Sequence, residues 1–234
     1  MNSPLISCIV PVYNGQRFIR QALASIVSQT YRHLEFIVVD DGSTDNTEGI
    51  VKDFTKRIRF IRQAHSGPSV ARNTGICAAQ GTFIAFLDCD DKWVPDKLAL
   101  QLSRYEVNAN LGICVGHAQN FWEPEAAEEE ARNRDQRRAQ PVPGYVSGTI
   151  LARAGVFDRI GLFNPKLKHG DATEWFMRAK QAGVVIDLLP EVLLYRRLHK
   201  HNRSRQWAVR SREEFIHLVK ASLDQKRSNE LDHA

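Results

Sequence analysis

Paired cysteines are missing from this sequence: Cys8, Cys77, Cys89 and Cys114 stand singly among 234 residues, with no CxxC spacing. That pattern excludes a zinc ribbon or a disulfide framework and fits a reducing cytoplasm. Three of the four lie in apolar surroundings, where a thiol acts as a small core residue. Neither GxGxxG nor GxxxxGK[ST] occurs, so the dinucleotide fingerprint and the P-loop are both absent. No apolar run approaches the roughly 20 residues of a membrane span. Met1-Asn2-Ser3-Pro4 lacks the basic start of a signal sequence. The expectation is a cytoplasmic protein, at most peripheral to the inner face of the membrane. No internal repeat is visible.

The charge excess is small, +5 with a pI near 9.1. It suits an anionic substrate or a membrane surface and gives no reason to expect nucleic acid. With 43% hydrophobic and 25% charged residues, the chain has the composition of a globular protein and the length for a sizeable core.

The chain is organised around Thr82-Phe83-Ile84-Ala85-Phe86-Leu87-Asp88-Cys89-Asp90-Asp91. The apolar run reads as a strand buried on both faces. It leads straight into Asp88, Asp90 and Asp91, which repel one another at a buried strand end. A hard divalent cation relieves that repulsion; an acidic turn opening the next helix, around Asp91-Lys92-Trp93-Val94-Pro95, is the plainer reading.

Upstream, Leu5 to Val10 reads as a strand stopped by Pro11, and Phe18 to Val27 carries the apolar stripe of a helix. Leu34 to Val39 is a strand ending in Asp40-Asp41-Gly42-Ser43-Thr44-Asp45, with Ser43 or Thr44 placed to cap a helix over Asn46 to Thr55. Ile58 to Ile61 is a short strand, and Gly67-Pro68-Ser69 opens a helix closed by Gly81. This alternation over residues 1–103 predicts a mostly parallel sheet with helices on both faces, and it places Pro11–Asn14, Asp40–Asp45 and Asp88–Asp91 at one sheet edge.

The second half is less regular. Ile113 to His117 is a candidate strand, 123–143 an exposed polar excursion, and Gly144 to Ala152 strand-like. Gly155 to Phe163 reads as a short helix and turn, and Glu174 to Ala182 as a helix with Trp175, Phe176 and Ala179 inward. Two strands, Val184 to Leu189 and Val192 to Tyr195, flank Pro190. A basic loop from Arg196 to Arg205 carries His199 and His201. A final helix, Trp207 to Gln225, offers an apolar side for the core, an anionic membrane or a homodimer; the sequence does not choose among them.

Four pieces, Ile9-Val10-Pro11-Val12-Tyr13-Asn14, Val39-Asp40-Asp41-Gly42-Ser43-Thr44-Asp45, Ala71-Arg72-Asn73-Thr74-Gly75 and Phe86-Leu87-Asp88-Cys89-Asp90-Asp91, together resemble family 2 glycosyltransferases of the GT-A fold. The resemblance covers 5–100 strongly, 144–200 less so, and 123–143 and the tail not at all. It implies a GT-A fold in which 1–103 binds a nucleotide sugar, 104–205 binds the acceptor and carries the base, and 206–234 is a C-terminal helix and tail.

The same resemblance implies an inverting, metal-dependent glycosyltransferase that moves a sugar from a nucleoside diphosphate sugar, a UDP-sugar by preference, to a hydroxyl of a glycan, lipid-linked or peptide acceptor. Pro11, Tyr13, Asp41, Arg72 and Asp88 would contact the donor, Tyr13 by stacking on the base and Asp41 by accepting its ring N–H. Asp88-Cys89-Asp90 matches the DxD motif, so Asp90 would bind Mn²⁺ or Mg²⁺. His199 would complete the metal or diphosphate site, with His201 as the alternative. Gly170-Asp171-Ala172-Thr173-Glu174-Trp175 sits where the family carries its base, but Ala172 departs from the commoner Glu-Asp pair; Asp171 is the first choice and Glu174 the second. Gly148 and Thr149 resemble an acceptor-side strand position. Two other functions compete: a sugar nucleotidyltransferase, for which Pro11 to Gly15 makes a poor phosphate loop, and a nucleotide-sugar-binding protein without catalysis.

Overall fold

A computed structural model of the chain describes residues 3–55, 57–126, 128, 131, 139–167, 170–200, 202 and 220. His201, nearly all of the expected 207–225 helix and about half of the 123–143 excursion lie outside these.

The first half alternates as its periodicity requires: β1 (Ile6–Val12), α1 (Ile19–Val27), β2 (Leu34–Asp40), α2 (Thr47–Phe54), β3 (Ile58–Arg62), α3 (Pro68–Ala78) and β4 (Phe83–Phe86). These strands pair in parallel in the order β3-β2-β1-β4. The rest comprises β5 (Lys92–Trp93), α4 (Lys97–Val107), β6 (Leu111–Trp122), β7 (Val142–Pro143), β8 (Leu151–Arg153), α5 (Ala154–Ile160), α6 (Asp171–Gln181) and β9 (Val185–Leu198). β8 joins β4 antiparallel and extends the sheet through β6, β9 and β5, so the whole sheet is mixed.

Alternation along β1 sorts the helices into two layers. Cys8 and Val10 pack with Ile19 and Leu23 of α1, Val51 of α2 and Leu98 of α4. Ile9, between them in sequence, faces the other way, with Ala71 of α3, Phe157 of α5 and Trp175 of α6. α3 lies close because Gly75 has no Cβ; one built there would stand 2.4 Å from Ile9 Cγ2. Among the described residues, no helix is long and apolar enough to cross a membrane.

Several boundaries differ from the sequence reading. β1 runs on through Pro11. The Val12 carbonyl accepts from Asp41 N on the β2 side, while Ile9 O accepts from Leu87 N on the β4 side. Pro11 therefore faces the side where β4 has ended, and its missing N–H costs no ladder bond. Pro190 likewise fails to split β9, because Leu188 pairs with Val115 and Val192 with His117, leaving the residues between in an irregularity of register. β6 is a twelve-residue strand rather than a short one. Asp91 to Pro95 forms a two-residue strand against β9 instead of a helix cap. Ser43 and Thr44 do not cap α2; Asp45 Oδ1 accepts the Thr47 N–H at 3.0 Å. Gly148 and Thr149 lie in a 3₁₀ turn, Ser147–Thr149, not in a strand.

Candidate active site

The carboxyl ends of β1, β2 and β4 meet at one edge of the sheet, and their motifs brace one another. Asn14 adopts a left-handed backbone, φ 51°, in which its Oδ1 accepts from Thr44 N at 2.8 Å while its own N–H reaches Ser43 Oγ at 2.8 Å. Gly15 N donates to Thr47 Oγ1 at 2.9 Å and Gln16 N to Asp45 Oδ2 at 3.0 Å. Gly42, at φ 80°, lies under the chain following β3: a Cβ there would stand 3.1 Å from His65 N.

This edge holds a cleft of about 700 Å³ walled by Pro11, Tyr13, Asp41, His65, Asp90 and His199, within the size range of small-molecule sites. A second cleft of about 310 Å³ is lined by Tyr145, Gly148, Asp171, Leu194 and Arg196 among others. Arg72, Asp88 and Asp90 line both. The sequence candidates Pro11, Tyr13, Asp41, Arg72, Asp88, Asp90 and His199 all reach the larger cleft, and Asp171 reaches the smaller.

Arg72 is the hinge between them. Its side chain is almost wholly buried, and it donates from Nη1 to Asp171 Oδ2 and from Nη2 to Asp88 Oδ1, both at 2.7 Å. Burial works against the guanidinium charge, but Asp88 and Asp171 outweigh it and raise its pKa above the ordinary arginine value. Arg72 thus supports the acids through Nη1 and Nη2, while its buried Nε has no hydrogen-bond partner among the described residues. Ser69 Oγ adds a second bond to Asp171 Oδ2 at 2.9 Å. Asn73 bonds both ways with the backbone of Phe163 (2.8 and 3.0 Å), holding the turn that leads toward α6.

Asp171 is the first residue of α6, with Gly170 in the left-handed N-cap position. Glu174, one turn on, gives both oxygens to Arg178 at 2.6 and 2.9 Å. Arg178 also donates to the carbonyls of Ile160 and Leu162. Glu174 is thereby engaged in joining α6 to the end of α5, and it is not among the residues lining either cleft.

The three acids after β4 are relieved one by one. Asp88 has Arg72. Asp90 Oδ2 lies 3.2 Å from His199 Nε2 and accepts from Asn202 Nδ2 at 3.2 Å. Asp91 accepts from Arg197 N at 2.8 Å; burial, with Asp90 and Asp88 beside it, pushes its carboxyl well above the usual carboxylate range. The Asp91 carboxylate is thus met by the backbone of β9. No cluster of three or more His, Cys, Asp or Glu ready to hold a metal occurs among the described residues. Asp90 with His199 nevertheless fits a hard cation that takes its remaining ligands from phosphate and water, as Mg²⁺ commonly does.

The sequence reading missed Asn202, which braces His199 by accepting its N–H at 2.6 Å. It also missed Ser69 and His65. Asn202 and Ser69 are common polar types with no spacing signal; His65 lies one residue before the Ser66-Gly67 turn, where nothing distinguishes it from a loop histidine.

Comparison with known proteins bears on the family and the fold. The family model for glycosyl transferase family 2 matches residues 7–161. An uncharacterized glycosyltransferase of Rickettsia prowazekii is 31% identical over 84% of the chain and 65% of its own length. Among solved structures, the mannosyltransferase PcManGT from Pyrobaculum calidifontis, in complex with GDP-Man and Mn²⁺, superposes with a TM-score of 0.74 at 19% identity, over 95% of this chain and 65% of that one. S. aureus TarS in complex with UDP-GlcNAc gives 0.69 at 21% identity, over 86% and 60%. The chain therefore spans just under two thirds of these proteins' lengths. The fold is GT-A. A family match running from the first strand through α5, on a sheet whose edge carries the motifs, makes the chain a member of glycosyl transferase family 2.

Proposed function

We propose that the protein transfers a sugar from a nucleoside diphosphate sugar, a UDP-sugar by preference, to an acceptor hydroxyl with inversion at the anomeric carbon. The observation that carries this is Arg72, which ties Asp88 in the donor cleft to Asp171 in the adjoining one through two 2.7 Å bonds. A donor carboxylate and a candidate base are thereby held on one rigid group where the clefts join, as single displacement requires. The nucleotide sugars bound to the two structural neighbours support the donor class.

In this reading Tyr13 stacks on the base and Asp41 accepts its ring N–H, with Pro11 against the nucleoside and Asp88 toward the ribose. Asp171 takes the proton of the acceptor hydroxyl as that oxygen attacks. Ser69 and Arg72 both donate to Oδ2 of Asp171, and in this reading Oδ1 takes the proton. Asp90 and His199 would hold a divalent cation, Mn²⁺ or Mg²⁺, which when bound offsets charge on the leaving diphosphate. Tyr145 and Gly148 line the cleft into which a glycan, lipid-linked or peptide acceptor would enter.

The test is a screen of UDP-sugars and GDP-mannose against saccharide acceptors with Mn²⁺, with the product anomer read by NMR. An inverted product, lost in Asp171→Asn, is expected. A retained configuration contradicts the mechanism, and pyrophosphate release from a nucleoside triphosphate would make the protein a nucleotidyltransferase instead.

A further inference from the structure

Tyr13 and Asp41, the two residues read above as base contacts, share a neighbour that touches both. The His65 ring lies against the Tyr13 ring, with centroids 4.1 Å apart and planes tilted by 32°. The same imidazole hydrogen-bonds the Asp41 backbone oxygen through Nδ1 at 3.1 Å and places that nitrogen 2.9 Å from Asp41 Oδ2. A flat heterocycle with a ring N–H, stacked on Tyr13 and donating to Asp41, is also the description of the nucleobase expected there.

The Asp41 carboxylate is already crowded with donors, and His65 stands where a further one would approach. Oδ1 accepts from Gln63 Nε2 at 2.7 Å and from Ser66 N at 2.9 Å. Oδ2 accepts from Gly67 N at 2.8 Å and faces His65 Nδ1. Three donors bond this carboxylate, and the His65 ring stands over what remains of Oδ2. Asp41 is itself 2% exposed, so water offers it no alternative geometry.

The four groups around Asp41 differ in how readily they can leave. Ser66 and Gly67 contribute backbone N–H groups of a chain that passes directly over Gly42. Gln63 is anchored at its other end, where Oε1 accepts from Thr74 Oγ1 at 2.7 Å. The His65 side chain is 57% exposed and can swing into solvent by rotation about χ1. That one rotation uncovers a face of Tyr13 and the approach to Asp41 Oδ2 together.

We infer that His65 occupies the nucleobase subsite of the free protein and must swing out before a nucleoside diphosphate binds. His65 is thus a positioning residue acting through Tyr13 and Asp41, and it sets the donor affinity by competition. This inference rests on the nucleotide-sugar reading above. Because an aromatic contact and one hydrogen bond are surrendered when the ring leaves, removing it should tighten nucleotide binding by about tenfold.

The experiment is calorimetric titration of UDP with Mn²⁺ into wild type and His65→Ala. It is paired with NMR of the His65 ring protons in wild type, which the Tyr13 ring current shields while the rings touch. Tighter binding by His65→Ala, with loss of that shielding when UDP saturates the wild type, is the expected result. Weaker binding by the variant with shielding retained would make His65 a second wall of the base site and overturn the inference. Equal affinities would overturn it as well, leaving the donor reading intact. Failure of both proteins to bind UDP, GDP or dTDP would remove the donor reading and this inference with it.

Discussion

Asp171 and Arg72 are 99 positions apart in sequence and meet at 2.7 Å in the buried floor between two clefts. Neither side chain is explicable alone. A guanidinium almost wholly removed from water needs anionic partners, and a carboxylate at the start of α6 needs donors. Because the second fork of Arg72 reaches Asp88, the same group fixes the spacing between the acid after β4 and the acid opening α6.

If Asp171 is the base, its exchange for asparagine removes proton acceptance and leaves the donor cleft intact. Asp171→Asn is expected to lower kcat by about a thousandfold with little change in UDP affinity. Steady-state kinetics beside calorimetry check both halves. Equal activity of the variant would transfer the role elsewhere. Glu174→Gln, by contrast, should act through stability, because Glu174 holds Arg178 against the end of α5.

Arg72→Ala leaves Asp171 and its surroundings buried without the balancing charge. Breaking such a pair costs about 3 kcal/mol, which urea unfolding will show. Arg72→Lys restores charge but not the two-pronged reach. It is expected to recover part of the stability and little of the turnover.

Lys97 gives a pH signature away from the site. It is fully buried, donates to Gln101 Oε1 at 2.7 Å and to Ile150 O at 3.3 Å, and lies 4.3 Å from the centre of the Trp93 ring. Burial pushes its pKa down from 10.5 to about 7. Between those values the unfolded chain binds a proton that the folded one does not, so stability rises with pH across that window and is flat below about 7. Lys97→Met is expected to be more stable near neutrality and to lose that rise. Unfolding midpoints measured across the window will show whether the slope disappears.

Much of this site was legible because strand ends are legible. Continuous apolar runs stopping at Asp40, Asp41 and Asp88 locate the sheet edge without any knowledge of pairing, and the family motifs then supply roles. What the sequence hid is contact made across distance. That Arg72 bonds both Asp88 and Asp171 depends on where α6 docks, which no local pattern encodes. That Asp91 is met by the backbone of Arg197 depends on β9 passing through Pro190 without breaking, against the ordinary reading of a proline in a strand. The gathering of Gln63, His65, Ser66 and Gly67 around Asp41 follows from the return of the chain after β3 over Gly42. Its left-handed backbone was readable only as a turn.

The central claim is that the edge carrying Tyr13, Asp41, Asp88 and Asp90 is a nucleotide-sugar site, and its most direct test is titration of UDP, GDP and dTDP into the wild type and Asp90→Asn, each with Mn²⁺ and with chelator. Binding of one nucleotide that depends on the metal and is lost in Asp90→Asn is the predicted result. Absence of binding by all three nucleotides, or binding indifferent to both metal and mutation, would contradict it.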